Sequence, residues 1–122
     1  AEYFEQANDT MVILQAEGKT AFDNLDEILS VEGIDILFIG PYDLSGSLGL
    51  IGQVNHPTVI SYIKEIIKKA GEKNVMVGTF ADNVETAVKW RDMGVKFIGY
   101  SCDMGLFYNA AKKDVDAFHI NK

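Results

Sequence analysis

The sequence predicts an α/β protein built from four consecutive strand–helix units around a parallel sheet. Three observations carry this. Short continuous apolar runs recur at residues 11–16, 34–39, 75–80 and 95–100. Each is followed by a stretch with apolar residues at helical spacing, and none shows the polar alternation of a strand with one wet face. Strict alternation of strands and helices means crossover connections, and crossovers join parallel strands.

Two architectures satisfy that pattern: a small doubly wound sheet, or four consecutive units of a (β/α)8 barrel. Periodicity does not choose between them, because strands are buried on both faces in either. Residues 1–8 tip the balance. Tyr3, Phe4 and Ala7 are spaced like the last turns of a helix, and a domain rarely opens on a helix end. The 122 residues are also about half of the roughly 250 usual for a complete barrel. The expected organisation is one partial (β/α)8 domain spanning residues 1–122.

The elements follow in order. Met-Val-Ile-Leu-Gln-Ala at 11–16 is the first strand and ends at Glu17-Gly18. Thr20, with Asp23 three residues on, resembles a capping box and opens an amphipathic helix of about three turns carrying Phe22, Leu25, Ile28 and Leu29. Gly33 breaks it, and 34–39 is the second strand. Gly40 turns the chain, and Gly46, Gly49 and Gly52 predict a long irregular loop with room for one helical turn. Pro57 suits the first turn of the next helix, whose stripe is Val59, Ile60, Ile63, Ile66, Ile67 and Ala70, with Gly71 as its cap. The third strand is 75–80. Asp82 or Asn83 caps a helix burying Val84, Ala87, Val88 and Met93, and Gly94 closes it. The fourth strand, 95–100, leads through Ser101-Cys102-Asp103 into a last helix with Leu106, Phe107, Ala110, Ala111 and Phe118 inward.

Composition excludes several functions. A net charge of −7 and a pI near 4.7 argue against nucleic acid, since phosphate binding needs clustered Lys and Arg. The single cysteine, Cys102, rules out an intramolecular disulfide and suits a reducing cytoplasm. No apolar run reaches the roughly 20 residues of a membrane span. A cytoplasmic protein with no membrane partner is expected.

In a parallel sheet the residues just beyond the strand ends share one rim, where ligands bind. Glu17 and Asp43 stand there after consecutive strands. Strands lie about 4.8 Å apart, so two such carboxylates can share a divalent cation, and a hard oxygen site of this kind suits Mg²⁺ or Mn²⁺. The alternative is that both are ordinary loop acids. Asp103 reads as an N-cap, Cys102 as a buried inert thiol without a basic neighbour. His56 and His119 read as structural or solvated, Arg91 as a surface residue, and Lys64, Lys68, Lys69 and Lys73 as a solvated face.

Several segments in order carry a resemblance. Leu14-Gln15-Ala16-Glu17, Thr20-Ala21-Phe22-Asp23-Asn24-Leu25-Asp26-Glu27-Ile28-Leu29, Phe38-Ile39-Gly40-Pro41-Tyr42-Asp43-Leu44-Ser45, Asn55-His56-Pro57 and Gly99-Tyr100-Ser101-Cys102-Asp103-Met104-Gly105-Leu106-Phe107 are similar to the class II, metal-dependent pyruvate aldolases. That is the 4-hydroxy-2-oxoheptanedioate and 2-dehydro-3-deoxyglucarate aldolase family of the phosphoenolpyruvate/pyruvate barrel superfamily. The resemblance implies the carboxy-terminal half of a TIM barrel, and a carbon–carbon lyase cleaving 4-hydroxy-2-oxo acids to pyruvate and an aldehyde.

It also implies that Glu17 and Asp43 bind the divalent metal. The metal then holds the keto acid and acts as a Lewis acid. Gln15, Gly40, Pro41, Tyr42 and Asp43 would line the substrate, with the Tyr42 and Asp43 N–H groups as carboxylate donors because Pro41 has none. Relatives often carry a small residue where Tyr42 stands, so the ring either narrows the pocket or points away. The family's proton-transfer His and substrate-pairing Arg come from early strands that this chain does not contain, so no catalytic acid or base is expected in it. The alternative is a catalytically incomplete half-barrel that only folds or oligomerises. Family members assemble into homo-oligomers through the last helix.

Overall fold

The computed structural model describes residues 9–120; the expected helix end at 1–8 lies outside them. Four strands, β1 (Ile13–Ala16), β2 (Ile36–Ile39), β3 (Met76–Ala81) and β4 (Phe97–Tyr100), form one sheet in the order β1-β2-β3-β4, every pair parallel. Spatial order equals chain order, without the reversal that defines a doubly wound sheet. The right-handed crossovers of such a run put every helix on the same face. This is the topology of four consecutive barrel units.

Between the strands lie α1 (Lys19–Asp23), α2 (Leu25–Ile28), α3 (Pro41–Ser47), α4 (Pro57–Glu72) and α5 (Val84–Asp92), followed by α6 (Asp103–Ile120). The core sits between strands and helices. Ala16, Leu37, Ile39, Val77 and Ala81 from the sheet meet Leu25, Leu29, Leu44, Val59, Ile63, Ile66, Ala70 and Trp90. Phe22 of α1 stacks on Tyr62 of α4 with ring centroids 4.2 Å apart, joining neighbouring units.

The opposite face of the sheet carries apolar side chains. Phe38 and Phe97 meet edge to face, centroids 6.3 Å apart, over Gly78 of the strand between them. A Cβ at Gly78 would lie 3.0 Å from a ring carbon of each and 3.1 Å from Ile36. That glycine is what lets the two rings close across β3.

Several local expectations give way. The three-turn helix after β1 is instead α1 and α2, because Asn24 turns its side chain onto the Thr20 carbonyl at 2.8 Å; Gly18, not Thr20, is the N-cap. The loop after Gly40 begins with a helix at once, since Pro41 at N1 is preset for it. The reversal after α4 is carried by Asn74, at φ 58°, past Gly71. Asn83 caps α5, accepting from Thr86 at 2.9 Å, and His56 caps α4, its Nδ1 accepting from Thr58 at 3.2 Å.

Two departures are larger. β1 is an edge, so Ile13 and Leu14 are 45% and 39% exposed and the strand is not doubly buried. The expected inward stripe of α6 is outward as well: Met104, Leu106, Phe107, Tyr108 and Phe118 are all exposed. An open groove lined by Val84, Ala87, Val88, Ile98 and Tyr100, with Arg91 at its margin, lies between α5 and β4.

Gly78→Ala is expected to lower the stability of the chain by about 1–3 kcal/mol through overpacking, read as a fall in the urea midpoint. An unchanged midpoint would contradict the packing of Phe38 and Phe97 over this position.

Candidate functional site

The carboxyl ends of the strands deliver a row of acids to one rim: Glu17 after β1, Asp43 in the first turn of α3, Asp82 after β3 and Asp103 at the start of α6. Their surroundings differ. Gln15 and Glu17 are two apart and share a face of the chain, and the Gln15 amide donates to Glu17 Oε2. The Glu17 side chain lies directly on Gly40, where a Cβ would fall 2.9 Å from Glu17 Cβ and 3.0 Å from Oε2. Any larger residue at position 40 would push the carboxylate off the β2 turn.

That turn is the first turn of α3. Gly40 is its extended N-cap and Pro41 occupies N1, so the helix opens without a side-chain cap. The helical ladder begins with Leu44 donating to the Gly40 carbonyl at 2.9 Å. The N–H groups of Tyr42 and Asp43 therefore precede it.

Several hydrogen bonds fix the segment. Fully buried Ser45 donates to the Tyr42 carbonyl at 2.6 Å and accepts from Gly52 N at 3.1 Å. Ser47 Oγ accepts from Lys19 N at 3.0 Å, tying α3 to the start of α1. Thr79 Oγ1 donates to the Ile39 carbonyl at 2.9 Å from inside the core. Finally the Tyr42 phenol donates to Asp82 Oδ2 at 2.6 Å.

The Tyr42 ring extends toward β3, on the opposite side of β2 from Glu17. The hydrogen bond to Asp82 holds the phenol pKa above its usual value, with partial burial and the Asp82 charge acting in the same direction. Lys19, the base nearest this rim in sequence, is engaged with Asp23 at 2.6 Å, which raises its ammonium pKa.

The other candidates lie as follows. Arg91 is exposed and paired with Asp92, as expected. His56 is committed to the α4 cap. Cys102 is exposed, not buried, at the start of a helix whose large apolar side chains are also exposed. Asp103 is the first residue of α6 and accepts from Met104 N at 2.8 Å; it is not the N-cap. Among the described residues no three His, Cys, Asp or Glu side chains converge as a metal cluster, and no helix is long and apolar enough to cross a membrane. Sequence reasoning missed the Tyr42–Asp82 bond. Its only signal was a bulky phenol in a turn of small residues, with an acid just past the next strand.

Fold and rim together define four consecutive units of a (β/α)8 barrel with its ligand-facing edge acidic. Residues 2–110 match the HpcH/HpaI aldolase/citrate lyase family, and the chain belongs to that family. It is 35% identical over 119 residues to a protein of Shigella boydii named 5-keto-4-deoxy-D-glucarate aldolase, covering 97% of this chain and 46% of that one. A solved HpcH/HpaI aldolase/citrate lyase family protein from Burkholderia cenocepacia superimposes with a TM-score of 0.87 at 30% identity, over 90% of this chain and 43% of that one. An HpcH/HpaI aldolase from Desulfitobacterium hafniense gives 0.85 at 29%, over 96% and 46%. The chain thus spans about half the length of the curated relatives it matches.

The raised Tyr42 pKa fixes a sign. A group whose folded pKa lies above its unfolded one adds stability below about pH 10, the unfolded phenol value, and loses it as pH rises through the folded pKa. Absorbance titration at 295 nm, taken as wild type minus Tyr42→Phe, should place this phenol above the ordinary tyrosine range. Asp82→Asn should bring it down, and a titration indifferent to Asp82 would contradict the bond.

Proposed function

We propose that this chain is a single partial-barrel domain, the carboxy-terminal half of a divalent-metal-dependent aldolase. The complete protein would cleave 4-hydroxy-2-oxo acids to pyruvate and an aldehyde, and join them in reverse. The observation that carries this is the Glu17 carboxylate lying on side-chain-free Gly40, beside the turn that bears Asp43.

The residues present fit a hard cation. Two carboxylates stand at adjacent strand ends as candidate all-oxygen donors, and the missing Cβ at Gly40 lets Glu17 lie against the turn that bears Asp43. Glu17 and Asp43 are the ligands in this reading, with Mg²⁺ or Mn²⁺ as the metal. When bound, the cation supplies Lewis acidity that stabilises negative charge developing on the keto oxygen as the carbon–carbon bond breaks. Gln15 orients the Glu17 carboxylate by donating to one oxygen, leaving the other free. The Tyr42 and Asp43 N–H groups, ahead of the α3 ladder, are donors for the substrate carboxylate, and Gly40 and Pro41 supply the close backbone wall.

No proton-transfer role is assigned to any of these groups. His56 is held as a cap, so the acid and base come from the other half of the barrel. The chain by itself is therefore expected to be inactive in aldol cleavage. In the complete barrel, Glu17→Gln or Asp43→Asn should cut metal-dependent turnover by about a hundredfold or more. Undiminished pyruvate release by either variant with added Mg²⁺ or Mn²⁺ would defeat the assignment.

A homo-oligomer, in the cytoplasm, is part of the same reading. The exposed apolar side of α6 and the open groove of Val84, Ala87, Val88, Ile98 and Tyr100 match in chemistry, which supports packing of α6 on a neighbouring copy. Phe107→Ser with Val88→Glu should lower the mass seen by light scattering after size exclusion. A mass unmoved by both changes would count against this contact.

A further inference from the structure

We infer that Tyr42 is a positioning residue whose phenol, by donating to Asp82, sets where Asp43 stands relative to Glu17. This rests on the cation reading above. Tyr42 immediately precedes Asp43 and is held at two points: its carbonyl by buried Ser45, its phenol by Asp82. The remaining side-chain ties on α3 run elsewhere, Ser47 toward α1 and Ser45 toward the loop at Gly52. Among the described residues, no other side-chain hydrogen bond joins α3 to the loop after β3.

Asp82 is itself anchored. It follows fully buried Ala81, whose carbonyl accepts the Ser101 N–H at 2.8 Å. The phenol thus connects the first turn of α3 to a fixed point on the next two strands. Without it, that turn keeps its buried Pro41 and Leu44 and its ties toward β1 and its own loop, but among the described residues has no side-chain hydrogen bond toward the loop after β3. A ligand carboxylate is placed by its supports as much as by its own rotamer, and a partner beyond the ligand shell is commonly worth about tenfold in metal affinity. Asp82 serves here as an acceptor for Tyr42 and is not a ligand.

The test is Mn²⁺ binding by the 122-residue chain, followed through paramagnetic broadening of backbone amide resonances. Tyr42→Phe keeps the ring, and Asp82→Leu keeps the approximate shape while removing the acceptor. Each should weaken binding by about tenfold. The double variant should lose no more than the worse single, and Asp82→Glu, which keeps the acceptor, should recover most of the affinity. The amide fingerprint away from α3 should stay unchanged in all of them. Wild-type affinity in Tyr42→Phe overturns the inference. So does a loss in Asp82→Leu with none in Tyr42→Phe, which would make Asp82 a ligand, and so does an additive loss in the double variant. Glu17→Gln and Asp43→Asn serve as the reference: if these leave Mn²⁺ binding intact, or the wild-type chain binds none, the cation reading fails rather than the tether alone.

Discussion

Glu17 reaches the turn of the neighbouring strand only because position 40 has no side chain. That one missing Cβ lets a carboxylate from β1 lie across the end of β2, and the rest of the rim is arranged around the contact. A strand end followed at once by a helix needs something to start the helix, and with glycine as N-cap no side chain is available for it. Pro41 starts it through backbone preorganisation. The same constraint that clears space for Glu17 therefore dictates how α3 begins.

What remains is to hold α3 in place, and short polar side chains do this. Ser45 and Ser47 each bond a carbonyl within α3 and accept an N–H from outside it. This is an economical use of the hydroxyl as both donor and acceptor. Thr79 does the corresponding work one layer down, at the end of β2. The Gly-Pro-Tyr-Asp-Leu-Ser-Gly-Ser run thus reads as a small scaffold in which nearly every residue has a mechanical task.

Much of the fold was legible because it depends on local pattern. Four apolar runs gave four strands, and Pro57 and Asn83 marked helix starts through chemistry confined to a few residues. The family was legible from the motif order, and the position of Glu17 and Asp43 just past consecutive strands from the ends of the apolar runs. The failures were of two physical kinds. Some were local competitions, as where the Asn24 side chain captured the Thr20 carbonyl and split a helix. Others required knowing which surfaces meet: the exposure of β1, of α6 and of Cys102, and the reach of Tyr42 to a residue forty positions away. Periodicity reports which side of a helix is apolar, not whether anything covers it.

Because strand order equals chain order, each new strand docks beside the one made just before it. The paired residues are separated by roughly twenty to forty positions, with β2 to β3 the longest span. Doubling a loop adds only about 0.6 kcal/mol to its closure, so the longest connection costs little more to close than the others. The β2–β3 step, which must close over α3, the Gly52 loop and the whole of α4, is also the one that Thr79 and Tyr42 stitch together across the seam. The bonds that shape the rim thus reinforce the longest closure in the sheet.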